Sequence, residues 1–512
     1  MIARKKCSGE IKSCRIHDLL RELCLRKAEE ENFFVKINTC GSFSPFAADK
    51  YRRAITNGQF FYEGSLWPRA RNLRSILCLC SRSCSCSKAE QMIMSGNFKL
   101  LKVLRFRSSY YLALAGIRMK SLINLRYLAL RSMIAPESVW SPFGWGLAEP
   151  IPFLLDLEII NLRLHHTISD LSFELPFHIF KMVKLRHIFC KGGVFEYHVS
   201  FQGGPRIRSE HSSQLDNLQS LHRICGCDDC RSFLVKTPKL KKLGIALRDT
   251  GMIWDLEFLK CLETLKFTTY YYGEGERVLC NFLPGLKLPL TVTQLTLNRV
   301  EIIWEELSVL HTLPNLEVLK ITLSRCGPVW DISEEGFSQL KYLKFASMGI
   351  KEWNASEEQF PRLEVLAIED CGNLKKIPDD FSSLYELQEI NLKGCRMSLA
   401  MSALDIQDEQ RNNKGEDGIL DLHATEIFSY KISTDPRFVE QLHARFVREN
   451  NGILDLLAEE RDDDFLDPRA KDRDADFLDL HAKDDYSYEL PSWRPRFIGA
   501  YVYKLQNLSM RI

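Results

Sequence analysis

No run of 18 apolar residues occurs in the 512-residue chain, so the sequence predicts no transmembrane helix. No stretch reads Gly-x-x-x-x-Gly-Lys-Ser/Thr, the loop whose amides and lysine hold nucleotide phosphates. His-Glu-x-x-His is missing too, and no Ser-His-Asp arrangement is recognisable, so the chain is not expected to be an enzyme. An excess of one charge is also lacking: 69 Lys and Arg stand against 67 Asp and Glu, leaving +2 and no general attraction to nucleic acid or anionic membrane. The opening Met1–Glu10 carries basic residues with no apolar run behind them and does not read as a secretory signal. Cysteine is present but odd in number, 17 in all and scattered, which predicts reduced thiols in a cytoplasmic compartment.

What the chain does have is one short phrase, Leu-x-x-Leu-x-Leu. It is clearest at Leu316–Ile321, Leu340–Phe345 and Leu363–Ile368, with a fourth copy at Leu387–Leu392. First positions at 292, 316, 340, 363 and 387 are spaced 24, 24, 23 and 24 residues apart, the period of a leucine-rich repeat. Each phrase reads as a short strand with one buried face, and a single such strand cannot bury that face alone. The expected fold class is therefore α/β: a leucine-rich-repeat solenoid with a curved parallel β ladder and an irregular convex side. Thirteen first positions are legible, at 73, 101, 125, 157, 185, 218, 240, 262, 292, 316, 340, 363 and 387. At about 4.8 Å per strand they would make a concave ladder on the order of 60 Å long. Convex returns are legible at Leu175–Leu185 and Ile377–Leu387, and longer insertions at 135–152, 191–214 and 268–285 should be surface loops.

Four regions are expected. Residues 1–40 form a short N-terminal helical cap. Asp18 is placed to cap a helix with Leu19, Leu20, Leu23 and Cys24 on its apolar side, and Phe33, Val35 and Ile37 alternate like a strand. Residues 41–70 are a loop-rich linker and 71–400 the repeat domain. Residues 401–512 are a low-complexity tail with internal duplication, where Gly418–Ala424 returns as Gly452–Ala458 and Phe465–Asp472 as Phe477–Asp484. From 459 to 485 it has 12 acidic and 5 basic residues in 27, a mix that predicts a solvated and poorly ordered segment.

The stretch Cys14-Arg15-Ile16-His17-Asp18-Leu19-Leu20-Arg21-Glu22-Leu23-Cys24, followed by repeats of this type, resembles the Met-His-Asp motif and following helix of plant intracellular disease-resistance proteins. Those are nucleotide-binding, leucine-rich-repeat immune receptors, and the likeness is to the late-blight-resistance group of the coiled-coil class. Cys371–Pro378 is similar to the Cys-x-x-Leu-x-x-Ile-Pro return of the same family. The resemblance implies that residues 1–40 are the winged-helix end of a nucleotide-binding module. It implies that His17 matches the histidine that touches ADP phosphate, and Asp18 the adjacent aspartate. Because the phosphate loop is missing, both are expected to be vestigial. No cofactor is expected, with ADP or ATP relevant only to a longer protein extending upstream.

Thiols at Cys78, Cys80, Cys84 and Cys86, or at Cys225, Cys227 and Cys230 beside His222, have spacings that can bind zinc, but buried or idle thiols are the expectation and no metal is assigned. His165, His166 and His187 sit in or beside strands and read as surface or packing residues. The fifth phrase position should face outward, giving Arg105, Lys266, Lys320 and Lys344, with Tyr342 alongside, as a partner-binding strip. Lysine on an open sheet also simply resists aggregation.

The resemblance thus implies a protein-binding module of plant innate immunity. It would recognise a pathogen effector or a host guarded protein, or hold a receptor's nucleotide-binding module off. It would be cytoplasmic or peripheral at the plasma membrane and would not contact nucleic acid. The alternatives are a general interaction scaffold, such as a ubiquitin-ligase substrate-recognition subunit, for which the first 70 residues show no F-box pattern, or a non-functional gene relic.

Overall fold

The computed structural model describes residues 2–5, 11–15, 17–37, 51–56, 72–78, 98–108, 122–132, 154–164, 173–175, 177–192, 199–201, 214–225, 228–247, 254–269, 283, 285–332, 336–414, 420–425, 427–428 and 456–457. A hairpin of β1 (Ile2–Lys5) and β2 (Ile11–Arg15), antiparallel, precedes helix α1 (Asp18–Glu30). Among the described residues one sheet then takes eighteen strands. Its ladder runs through β3 (Val35–Ile37), β4 (Arg53–Thr56), β5 (Ser75–Cys78), β6 (Val103–Ser108), β7 (Tyr127–Ser132), β8 (Ile159–Leu164), β10 (His187–Gly192), β12 (Ser220–Cys225), β13 (Lys242–Leu247), β14 (Thr264–Thr269) and β15 (Gln294–Asn298). It continues through β17 (Val318–Thr322), β20 (Tyr342–Ala346), β22 (Val365–Glu369), β23 (Glu389–Lys393) and β24 (Asp421–Thr425). β9 (Phe173–Leu175) and β11 (Val199–Phe201) form a side pair, and a short helix α2 (Asp228–Leu234) connects β12 to β13. Every neighbour in the ladder is parallel, as coils of one repeat require: this is a parallel β-solenoid of stacked leucine-rich coils.

The legible phrases supply the ladder as expected. The first, fourth and sixth positions whose side chains are described are buried; Leu316, Leu319 and Ile321, for example, are all within 2% of full burial. Three ladder strands lie outside residues 71–400, so the solenoid is wider than that span: β3, β4 and β24. None has a complete Leu-x-x-Leu-x-Leu. Ala54 and Ala424 fill core positions that a leucine fills elsewhere, and both are about 1% exposed. Ahead of β24 comes α3 (Met397–Lys414), which buries Leu399, Ala403, Leu404 and Ile406 against the last coils. The insertion at 135–152 lies outside the described residues, as do most of 191–214 and 268–285.

Returns between strands are short 3-10 turns where the sequence placed them, Phe177–Lys181 and Asp379–Ser383, and also at Trp304–Thr312 and Glu357–Gln359. Second, smaller parallel pairs form there: β16 (Glu301–Ile302) with β18 (Arg325–Cys326), and β19 (Val329–Asp331) with β21 (Glu352–Asn354). Trp330 opposes Trp353 in that register, and Trp304 stacks on Trp330 at 4.8 Å. Trp330 stacks on Trp353 at 5.5 Å. Ladder pitch and ring-stacking distance coincide, so one indole per coil builds a continuous pile.

The exit from each strand repeats as well. Arg299, Leu323, Ser347, Asp370 and Gly394 all have φ between 52° and 59°. Each donates its amide to the carbonyl that ends the next strand, Thr322, Ala346, Glu369, Lys393 and Thr425 in turn, so the left-handed turn keeps the ladder's hydrogen bonding unbroken. On the opposite edge, Asn124, Asn217 and Asn315 donate side-chain amides to carbonyls of the preceding coil at 2.7–2.8 Å.

Candidate functional site

Between the buried first, fourth and sixth positions, the third and fifth residues of each phrase point to the other face of the sheet. The register sets the fifth positions side by side. Arg105, Ala129, Asn161 and Phe189 are direct neighbours on β6, β7, β8 and β10. From β13 the row reads Gly244, Lys266, Thr296, Lys320, Lys344, Ala367, Asn391 and His423. His423, on a strand the sequence did not reveal, is thus a missed member.

The row is interrupted once. Between β12 and β13, Leu221 pairs with Leu243 but Ile224 with Ile245, so two residues, His222 and Arg223, stand where other strands have one. Arg223 takes φ 59°, a β-bulge. Gly244 is its complement: a Cβ there would lie 3.0 Å from the Arg223 amide nitrogen. The sixth position of the Leu218 phrase is therefore Ile224.

The lysine strip is assembled but it is not a uniform cation. Lys320 and Lys344 are direct neighbours, while Thr296 separates Lys266 from Lys320. Lys344 Nζ pairs with Glu369 at 2.8 Å, and the lysine side chain is only 15% exposed. Lys320 Nζ lies 5.5 Å from the Tyr342 ring centroid, a cation–π contact. Glu389, held by Asn391 at 2.9 Å, and His423 at 3.9 Å continue the polar pattern. This stretch of the face can therefore bind through mixed charge and hydrogen bonds rather than through a single sign of charge.

Toward the other end, His187 stacks on Phe189 at 5.7 Å, and Phe189 lies 5.3 Å from the His222 ring. The His187 pKa is lowered, first by burial and then by Arg186 and Lys242, which favours the neutral ring.

His17 is exposed and its Nδ1 accepts the Leu19 amide at 3.3 Å. It, and not Asp18, is the cap of α1, because the helix opens one residue earlier than the sequence suggested; Asp18 is the first helical residue. Leu19, Leu20 and Leu23 are 78%, 53% and 58% exposed, so the apolar side of α1 packs on nothing described. Of the candidate zinc sets, Cys80, Cys84, Cys86 and Cys227 lie outside the described residues. Among the described residues no group of three or more His, Cys, Asp or Glu is gathered as a metal site would need. No described helix is long and apolar enough to cross a membrane.

No family model matches the chain. It is 29% identical over 422 residues to the late blight resistance protein homolog R1B-16 of Solanum demissum, covering 80% of this chain and 30% of that protein. To homolog R1B-23 of the same plant it is 27% identical over 467 residues, covering 84% and 34%. To late blight resistance protein R1-A it is 26% identical over 436 residues, covering 80% and 31%. The likeness to late-blight-type resistance proteins thus extends over most of the chain, which spans about a third of the length of the curated relatives it matches. Among solved structures, an internalin of Listeria monocytogenes is 14% identical, with TM-score 0.33 and coverage of 61% of this chain and 78% of that one. The plant peptide hormone receptor RGFR1, solved with RGF2, is 11% identical, with TM-score 0.34 and coverage of 83% and 74%.

Proposed function

We propose that this chain is a disease-resistance repeat module that docks a protein on the open face of its ladder: a pathogen effector, a host guarded protein, or the nucleotide-binding module of a receptor. The observation that carries the reading is the contrast between rows. The first, fourth and sixth rows hold the same few apolar residues in coil after coil, and those described make the core. The fifth row changes chemistry at almost every step, from Arg105 to Phe189 to Gly244 to Lys320 to Asn391. A constant core beneath a varied face is what a recognition surface needs, because specificity comes from the pattern and stability from the core. The similarity to late blight resistance proteins supports the same reading.

The module works by binding and not by catalysis, is cytoplasmic, and holds no nucleotide of its own, since the phosphate-cradling loop is missing from these 512 residues. The test co-expresses the full chain with the nucleotide-binding portion of a late-blight-type relative and follows complex formation, alongside calorimetry with ADP. The expected result is a complex weakened at least tenfold by Lys320→Glu together with Lys344→Glu, and no stoichiometric heat with ADP. A complex indifferent to open-face substitution, or tight ADP binding, overturns the reading.

A further inference from the structure

The edge where the chain enters each strand follows a pairing rule. Wherever a second-position cation and a second-position carboxylate stand on adjacent coils among the described ion pairs, they meet. Lys241 pairs with Glu263 at 2.7 Å, Lys341 with Glu317 at 3.0 Å and Arg126 with Glu158 at 3.6 Å. At one end of the edge the carboxylate is missing. Arg52, Arg74 and Lys102 hold the second positions of three successive coils, each amide donating to the carbonyl of the one before. Arg52 and Arg74 are exposed and Lys102 is half-buried, and no ion pair involves any of the three among the described residues. No described residue of these coils, from 51 to 56, 72 to 78 and 98 to 105, is an aspartate or a glutamate.

Beside these cations the same edge exposes aliphatic side chains. Ile123, Leu155 and Val183 are the tips of three stacked turns, closed by the Leu125, Leu157 and Leu185 amides on the Leu122, Leu154 and Met182 carbonyls. The residue before each tip is buried in the core, so the tip itself must point outward. The three are 57%, 48% and 53% exposed, and Leu100, one coil earlier, is 45% exposed. The register of β7, β8 and β10 sets them one coil apart. Apolar surface held at half exposure on successive coils is lost from water only when something covers it.

We propose that this strand-entry edge is a second docking surface, for a protein segment that is acidic at one end and apolar at the other. Its carboxylates would complete the pairing at Arg52, Arg74 and Lys102, and its apolar side chains would cover Ile123, Leu155 and Val183. From β4 to β10 is about 24 Å at 4.8 Å per coil, roughly seven residues of extended chain. The Asn124 and Asn217 side-chain amides already take the Lys99 and Val183 carbonyls, so the segment is held by side chains and not by strand addition. The order of groups along the edge selects this occupant. The aliphatic end is mixed in charge: Asp156 holds Lys184 at 2.5 Å and Glu158 holds Arg126, beside Lys181 and Arg186. A bilayer laid on the aliphatic tips would press Asp156 and Glu158 toward its negative headgroups. A nucleic-acid backbone would neutralise the cations and leave the aliphatic tips uncovered.

The experiment uses the full chain and a fluorescent peptide of four glutamates followed by four valines, read by anisotropy over a range of salt. Comparators are the same eight residues in alternating order, phosphatidylserine vesicles and a dT16 oligonucleotide. The block peptide is expected to bind at least fivefold tighter than the alternating one, with an affinity that falls as salt rises. Arg74→Gln with Lys102→Gln is expected to weaken it at least tenfold and to flatten the salt dependence. Ile123→Ser with Leu155→Ser is expected to weaken it at least tenfold with the salt dependence kept. Should that pair fail to fold, Val183→Ser reads the same row. Lys241→Gln with Lys341→Gln, cations that already have partners, is the control and should change the affinity less than twofold. No binding, or binding indifferent to both edge pairs, overturns the proposal. Vesicles or dT16 bound in preference to the peptide, and lost in the edge variants, overturn the choice of occupant. The open-face reading fails separately, through Lys320 and Lys344, which none of these variants touches.

Discussion

The Cys395 thiol donates to the carbonyl of Ile368 in the preceding coil at 3.4 Å, and it also lies 3.3 Å from the Lys393 carbonyl. Cys371, one coil earlier at the same place, donates to Glu369 at 3.4 Å. These cysteines are thus small second donors to strand-exit carbonyls that already accept the Ser347 and Asp370 amides, and not only space-fillers. Cys395→Ser, which keeps a donor, is expected to stay near wild-type stability. Cys395→Ala removes the two thiol contacts, although the Lys393 carbonyl keeps the Asp370 amide, and is expected to lose about 1 kcal/mol in urea unfolding.

The same thiols set an alkaline limit. Burial pushes the Cys326 and Cys395 thiols from 9.0 up to about 11, and raises Cys371 further. A raised pKa stabilises fully below the unfolded value and is lost as pH climbs through the folded one. Stability should therefore decline between about pH 9 and 11, beyond what exposed groups cause, and the decline should shrink in Cys395→Ser. At neutral pH, iodoacetamide should label exposed Cys24 and Cys261 in the folded chain before it reaches Cys371 or Cys395.

His187 gives the opposite limb. Its pKa is depressed, so unfolding takes up a proton once pH drops below the ordinary value of 6.5. Stability contributed by the neutral ring is then lost as pH falls, and the loss should disappear in His187→Phe. Proton NMR of the imidazole should place its midpoint below 6.5.

Trp330 is 2% exposed and stacks on Trp304 at one face and Trp353 at the other, with Phe345 edge-on at 5.5 Å. Trp330→Ala opens a cavity in a column that other coils share. A loss of about 3–5 kcal/mol is expected, read as a lowered urea midpoint. Trp330→Phe should recover more than half of it.

Gly336 is required by a backbone approach. The Phe337 amide donates to the Gln359 carbonyl at 2.7 Å, and a Cβ on Gly336 would collide with the Gln359 Cα and carbonyl. Backbone cannot swing aside as a side chain can. Gly336→Ala should cost about 1–3 kcal/mol, whereas Gly349→Ala, where no atom lies within 4 Å, should be nearly neutral in the same thermal melt.

The sequence by itself determined the repeat, the parallel ladder and the open-face row, because a leucine phrase at a period near 24 leaves one way to bury every strand. Lys320 and Lys344 were legible as neighbours since phrase spacing sets register. Tertiary structure alone decided the rest. The bulge at His222–Arg223 shows only when Ile224 is seen to take a place one residue late, and Gly244 is its answer on another strand. β4 and β24 bury alanines in leucine positions, which a pattern of large apolar residues cannot register. The neutralisation of Lys344 by Glu369 joins residues 25 apart, and the indole pile joins Trp304, Trp330 and Trp353. In each case the deciding contact runs between coils. The physical reason is that a solenoid's core is shared: periodicity in the chain sets what each coil contributes, and only stacking sets what each contribution meets.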